Sequence, residues 1–76
     1  MTNTNQNEKL TERELEIISL VSTGLTTTEI AAKLYLSHHT VFTHRRNILR
    51  KTGAPNIITV VAMYIEQKFL ITNTAA

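Results

Sequence analysis

The chain has 76 residues, about half of a typical domain, so it accommodates one small domain at most. Its hydrophobic content of 42% is too high for a disordered chain, and the absence of cysteine excludes a disulfide framework and a thiolate zinc site. The longest apolar run is far shorter than the ~18 to 20 residues of a membrane span, and the polar N-terminus lacks a secretory signal. We therefore expect a cytoplasmic protein that does not enter a membrane.

The net charge of +2 is unevenly distributed. Residues 1–34 contain three basic and five acidic residues, whereas residues 35–52 contain four basic residues, no acidic ones and all three histidines. A local basic face is typical of a protein that binds a polyanion, although an ordinary solvated helix face has the same composition. The charge alone leaves both interpretations open.

Residues 1–9 are polar and rich in Asn and Thr, which predicts a flexible N-terminal arm or the remnant of a linker. Thr11 followed by Glu14 has the spacing of a capping box and marks the start of a first helix. Gly24 can adopt the left-handed conformation that ends this helix. The apolar stripe of the helix consists of Leu15, Ile17, Ile18, Leu20 and Val21.

A second capping box, Thr26 followed by Glu29, predicts a short helix from about Thr27 to Leu34. We expect this helix to bury Ile30, Ala31 and Leu34. Two residues later, Ser37 is a favourable N-cap for a third helix that runs to about Lys51. So tight a connection forces a sharp angle between the two helices, which is the helix-turn-helix motif.

Gly53, Ala54 and Pro55 interrupt the chain after the third helix, and Asn56 can cap a fourth helix from about Ile57 to Phe69. No segment alternates polar and apolar residues over the length of a strand. The predicted fold class is therefore all-α, with a four-helix domain over residues 10–70 and a C-terminal tail at residues 71–76.

The third helix has one face for the core and one for a partner. Val41 and Ile48 share the core-facing stripe, with Thr52 below them. The opposite face consists of His39, Phe42, Thr43, Arg46, Asn47 and Arg50. Such a face suits readout of base edges in the major groove, because Arg pairs with guanine, Asn with adenine, and Thr or Phe with the thymine methyl. The same face also suits a helix that is simply solvated. Phe42 is the exception, because it either covers the edge of the core or contacts a partner.

Several correctly spaced elements resemble the LuxR-type (LuxR/FixJ/GerE) helix-turn-helix family of bacterial transcription regulators. The opening Leu10-Thr11-Glu12-Arg13-Glu14 is similar to the LT-x-RE start of that family. The later matches are Glu29-Ile30-Ala31, Leu34-Tyr35-Leu36-Ser37, Thr40-Val41, His44, Asn47-Ile48 and Lys51. The sequence departs from the family at Phe42, where Lys is common, at Thr52, where an apolar residue is usual, and at Ile57, where Arg is frequent.

The resemblance implies sequence-specific binding of double-stranded DNA, as in quorum-sensing regulators and response regulators. It implies that Phe42, Thr43 and Arg46 face bases, and we add His39 and Asn47 from the same face of the helix at about 38–51. For phosphate contacts we expect the starts of the second and third helices and the basic side chains. These residues are Thr26, Ser37, His38, Thr40, Arg45, Arg50 and Lys51. Arg45, Arg50 and Lys51, together with Arg46, are counted as the uncompensated charges of the chain.

The fourth helix is predicted to form a homodimer contact, which the resemblance also implies. Its apolar residues span an arc of about 200°, twice the ~100° that packing against one core requires. The expected interface residues are Ile57, Ile58, Val61, Ala62 and Ile65. A two-fold dimer would require a pseudo-palindromic site, and RNA polymerase is a further expected partner. Alternatively, the first helix and Phe69, Leu70 and Ile71 cover the surplus within one monomer.

Other functions have less support in the sequence. No nucleophile with a base, carboxylate pair or glycine-rich phosphate loop is recognisable, so we expect neither an enzyme nor a cofactor. The three histidines diverge around their helix and cannot converge on one metal ion. A phosphorylation site among Thr26, Thr27 and Thr28 is less favoured than a cap with solvent-exposed neighbours. The main alternative is a helix-turn-helix fold used for protein contact without DNA binding.

Overall fold

Four α-helices pack around one small apolar core. The computed structural model describes residues 9–75, and it describes the surroundings of side chains as far as residue 67. The helices are α1 (Glu12–Ser22), α2 (Thr27–Leu34), α3 (His38–Thr52) and α4 (Ile57–Ala75). Residues 9–75 contain no strand, and the all-α prediction is confirmed. None of the helices in this range is long and apolar enough to cross a membrane.

Both predicted capping boxes are present. Thr11 Oγ1 accepts a hydrogen bond from the Glu14 backbone N–H at 3.0 Å, and Glu14 Oε1 accepts one from the Thr11 N–H at 2.9 Å. Thr26 and Glu29 form the same pair of bonds at the start of α2, at 3.2 and 2.8 Å. Each box satisfies backbone donors that the first turn of a helix cannot pair internally, and so fixes where the helix begins.

The ends of α1 and α2 use the same hydrogen-bond pattern with different residues. After α1, Gly24 is left-handed with φ of 96°, and the Leu25 N–H donates to the Leu20 carbonyl at 3.2 Å. After α2, Tyr35 takes this position with φ of 59°, and the next N–H donates to the Ala31 carbonyl at 2.9 Å. Both are Schellman motifs. A left-handed tyrosine is unusual because its Cβ crowds the backbone, so this conformation was not expected at Tyr35.

The third and fourth helices begin as predicted but end later. Ser37 Oγ accepts from the Thr40 N–H at 3.0 Å, and Asn56 Oδ1 accepts from the Thr59 N–H at 2.8 Å. The third helix includes one residue beyond the predicted end and stops at Gly53, whose φ is 72°. The fourth continues to Ala75 instead of Phe69, so the helix extends through residues 71–75 of the segment predicted as a C-terminal tail. No Gly or Pro follows Pro55, and nothing in the sequence forces this helix to stop.

The core is built mainly from β-branched residues of all four helices. Its buried members are Ile17, Ile18, Ile30, Ala31, Val41, Ile48 and Val60. The first helix packs against α3 and α4, and α2 packs mainly against α3. Leu34 and Leu15 are less buried than predicted. Leu34 is only half-buried, and Leu15 is exposed on the rim of a groove between α1 and α4. Because Ile17 and Ile18 point into the core, Leu15 lies toward the edge of the buried stripe.

Thr52 fits its half-buried position although the resemblance implies an apolar residue there. Its hydroxyl donates to the Ile48 carbonyl at 2.8 Å, one turn earlier in α3. This bond satisfies the polar group within the helix itself. The departure from the family pattern therefore leaves the local fold intact.

Candidate nucleic-acid interface

The third helix is fixed to the core along one side. Val41 and Ile48, two turns apart, are completely buried. The opposite side of α3 therefore faces solvent, where Phe42 remains 54% exposed. We call the predicted set of His39, Phe42, Thr43, Arg46, Asn47 and Arg50 the recognition face. An aromatic ring this exposed is not a core residue, and it is accessible from solvent.

The structure divides the recognition face into a crest and its flanks. His39, Phe42, Arg46 and Arg50 are exposed and form the crest. Thr43 and Asn47 are half-buried beside them. The first turn of α3 contains no acidic residue, so the positive end of the helix dipole is not neutralised there by a side chain of α3. The five residues predicted to contact bases thus lie along one accessible side of a rigid element.

The hydroxyls predicted to contact phosphate already take part in helix caps. Ser37 Oγ accepts the Thr40 N–H and donates to Thr40 Oγ1 at 3.0 Å. Thr26 Oγ1 accepts the Glu29 N–H, as described above. In each cap an oxygen lone pair is occupied, but the hydroxyls of Thr26 and Thr40 keep a hydrogen to donate. His38, the first residue of α3, is exposed beside this end of the helix.

Arg45 connects the two helices of the motif. Its Nη1 donates to Thr27 Oγ1 at 3.2 Å, and both side chains are half-buried. Thr27 was expected to be an exposed neighbour of a cap, and that expectation is wrong. The two residues are far apart in the sequence and carry no complementary charge, so no sequence signal identifies the pair. The bond holds the guanidinium at the start of α2.

Lys51 has a different environment from the one predicted. Its ammonium lies 2.9 Å from Glu14 Oε1 and donates to the Lys9 carbonyl at 3.3 Å. The Lys51 and Glu14 side chains are only 10% and 4% exposed. The prediction that Lys51 is an uncompensated charge is therefore wrong, because the acid that neutralises it lies on α1. The bond from Lys51 to the Lys9 carbonyl connects α3 with Lys9, a residue assigned to the N-terminal arm.

Glu14 is ionised in the folded protein despite its burial. Burial raises the pKa of its carboxyl, but hydrogen bonds from Lys51 and from the Thr11 backbone, together with the charge of Lys51, lower the pKa below its ordinary value overall. The carboxylate thus has two roles, as the capping residue of α1 and as the partner of Lys51. Only the first role was predicted, because it depends on local spacing alone.

The exposed basic surface of α3 is consequently narrower than the sequence suggested. Arg46 and Arg50 are exposed on the recognition face, Arg45 is held at its edge by Thr27, and Lys51 is paired inside the domain. Arg50 also has an interaction within the chain. The basic side chains on this surface of α3 are therefore the three arginines. Their planar guanidinium groups pair with phosphate or guanine in a bidentate manner.

A second exposed surface lies on α4. Ile58 is 75% exposed, Ala62 and Ile65 are exposed, and Ile57 and Val61 are half-buried. The packing of α1 against α4 therefore leaves much of the predicted apolar arc uncovered. Phe69, Leu70 and Ile71, the residues of the alternative prediction, lie outside the range whose side chains are described.

The histidines do not form a metal site in the described part of the chain. His38 and His39 are exposed and His44 is half-buried. Among the described residues, no group of three or more His, Cys, Asp or Glu side chains is placed to hold a metal ion.

Comparison with known proteins identifies the family. Residues 8–64 match the model of the bacterial regulatory proteins of the luxR family, so the chain belongs to this family. The match covers the two capping boxes and all of α3. No solved structure matches the chain.

Individual relatives are bacterial regulators that are much longer than this chain. A nitrate/nitrite response regulator protein homolog of Haemophilus influenzae is 37% identical over 60 residues, which are 79% of this chain and 29% of that protein. The transcriptional regulatory protein LiaR of Bacillus subtilis is 41% identical over 64 residues, 84% of this chain and 30% of LiaR. The oxygen regulatory protein NreC of Staphylococcus aureus is 38% identical over 61 residues, 80% of this chain and 28% of NreC. The chain spans less than a third of each.

Proposed function

We propose that this chain is the DNA-binding module of a bacterial transcription regulator, with α3 as the recognition helix in the major groove. The observation that carries the proposal is the recognition face itself. It presents arginine, asparagine, threonine and an aromatic side chain on the accessible side of a helix that two fully buried residues hold in place. These residue types read base edges and contact phosphates. Relatives named as response regulators and transcriptional regulatory proteins support the same role.

Within the recognition face we assign base readout to Phe42, Thr43 and Arg46, flanked by His39 and Asn47. Phosphate contacts fall to Arg45 and Arg50, together with the starts of α2 and α3 at Thr26, Ser37, His38 and Thr40. Lys51 is removed from this set because its charge is neutralised by Glu14. Phe42 replaces the common lysine, so we expect it to contact a thymine methyl or a sugar edge and to contribute selectivity more than affinity.

We further propose that two copies assemble through α4 on a pseudo-palindromic site. The exposed apolar residues Ile58, Ala62 and Ile65 support this, because a monomer gains nothing by leaving them in water. Ile57 and Val61 complete the surface. A two-fold axis would place the two recognition helices about one helical turn of DNA apart, ~34 Å. Contact with RNA polymerase on the same operator is the remaining proposed partnership.

The decisive experiment is a salt titration of duplex binding, measured by fluorescence anisotropy. Each arginine that contacts a phosphate releases counterions and contributes about 0.9 to the slope of log affinity against log salt. Arg50→Gln should lower this slope by about that amount, whereas Lys33→Gln, the same charge change on α2, should leave it unchanged. Affinity that does not depend on salt would refute DNA binding. It would favour the alternative of a protein-contact module, for which the exposed Phe42 is the supporting observation.

A further inference from the structure

Thr27 has a role in the interface that its position off the recognition face does not suggest. It is the first residue of α2, next to the capping residue Thr26, and its own hydroxyl is not part of the capping box. Its oxygen instead accepts from Arg45 Nη1 at 3.2 Å. We propose that Thr27 is a positioning residue that holds the Arg45 guanidinium ready for a DNA phosphate. This inference rests on the proposed function.

The side chain of Arg45 is too long and flexible to be placed by its backbone alone. Helical geometry puts it about 40° from Val41, on the side of α3 that turns toward α2. In that position the aliphatic stem is half-buried against the domain while the guanidinium reaches the start of α2. A guanidinium has several N–H donors in one plane, so a single bond to Thr27 restricts where the group lies and leaves further N–H donors for a phosphate.

Holding the group in advance raises affinity without adding a contact to DNA. An arginine that must be ordered on binding loses rotamer freedom at that moment, which weakens the complex. When Thr27 has already ordered the guanidinium, most of this rotamer freedom is lost during folding and not on binding. The hydroxyl of Thr27 thus acts on DNA only through Arg45.

The test uses four variants of the full chain and the salt titration described above. Thr27→Val removes the hydroxyl while keeping the branched shape, the charge and the N-cap Thr26. It should weaken duplex binding about 3- to 10-fold, as expected for one side chain that must now be ordered on binding. Thr27→Ser, which restores a hydroxyl, should recover the parental affinity. Thr28→Val makes the same change at the exposed neighbour in the same turn and should have no effect. Arg45→Gln removes the group that is being held.

A double-variant cycle separates positioning from direct contact. If Thr27 acts through Arg45, adding Thr27→Val to Arg45→Gln should produce no further loss of affinity. If the full loss persists in the Arg45→Gln background, Thr27 contacts DNA itself and the inference is wrong. If Thr27→Val binds duplex DNA as tightly as the parent, the inference is also wrong. The proposed function still stands in that case, because the parent binds DNA. If the parent shows no salt-dependent binding, both fail. Thermal unfolding of each variant checks the fold, and Thr27→Ala replaces Thr27→Val if the latter is not folded.

Discussion

The ion pair between Lys51 and Glu14 makes a quantitative prediction about stability. Lys51→Met keeps most of the unbranched side chain but removes the ammonium, which leaves the Glu14 carboxylate, only 4% exposed, with the hydrogen bond from the Thr11 N–H. Removing one member of a buried pair commonly destabilises a protein by about 3–5 kcal/mol, because the other charge stays desolvated.

Protonation of Glu14 limits the penalty of the unpaired charge. Glu14 can escape its isolated charge by taking up a proton, and from an ordinary pKa of 4.5 this costs about 3 kcal/mol at pH 7. At pH 5 the same protonation costs less than about 1 kcal/mol. In the parent, the lowered pKa of Glu14 means that the pair stabilises the fold above about pH 4.5 and ceases to do so as the pH falls through the folded-state pKa. The difference between variant and parent must therefore shrink on acidification.

Urea unfolding followed by far-UV circular dichroism measures the effect. We expect Lys51→Met to lower the free energy of unfolding by about 2–3 kcal/mol at pH 7 and by less than about 1 kcal/mol at pH 5. The double variant Glu14→Gln with Lys51→Met should recover most of the loss at pH 7, because a neutral amide can still cap Thr11. A loss below about 0.5 kcal/mol at pH 7, or an equal loss at both pH values, would refute the reasoning.

Three further predictions concern the recognition face, α4 and the turn after α2. Arg46→Ala should weaken binding to the preferred site by about 1–3 kcal/mol and binding to random duplex much less, and equal losses in a competition assay would make Arg46 a phosphate contact. Ile58→Glu should leave the helical circular dichroism signal intact and abolish cooperative binding to paired half-sites; unchanged cooperativity would place the interface elsewhere. Tyr35→Asn should raise the free energy of unfolding by about 0.5–1 kcal/mol in urea titrations, because asparagine tolerates the left-handed backbone better, and a loss of stability would show that the exposed ring contributes to the fold.

Local signals explain why much of the fold was predictable. The starts of all four helices follow from caps whose partners are no more than four residues apart in the chain, and the apolar spacing of α3 identified its buried side correctly. The turn after α2 was less readable, because its left-handed position is occupied by Tyr35 and not by Gly or Asn. The length of α4 was underestimated because the sequence after Pro55 contains no Gly or Pro that would mark the end of the helix.

The candidate site was only partly predictable because its electrostatics depend on tertiary contacts. A count of charges along the chain assigns Lys51 to the basic segment, yet its partner Glu14 lies on α1. The bond from Arg45 to Thr27 is likewise a tertiary contact that no local pattern indicates. The helical spacing of α3 separates its buried face from its exposed face. It contains no information about which side chains of α1 and α2 contact the residues between those two faces.

The hydrogen bond from Lys51 to the Lys9 carbonyl has a practical consequence for grafting this domain onto other proteins. The acceptor is a main-chain atom, so almost any amino acid at this position supplies it, and a scan of side-chain substitutions there would look neutral. Deleting the peptide unit would remove the acceptor, and with Leu10 also an apolar neighbour of the core. A chimaera joined directly at Thr11 would place its own backbone where the acceptor lies, but it would lose the packing of Leu10 against the core, whereas one joined just before Lys9 would retain both.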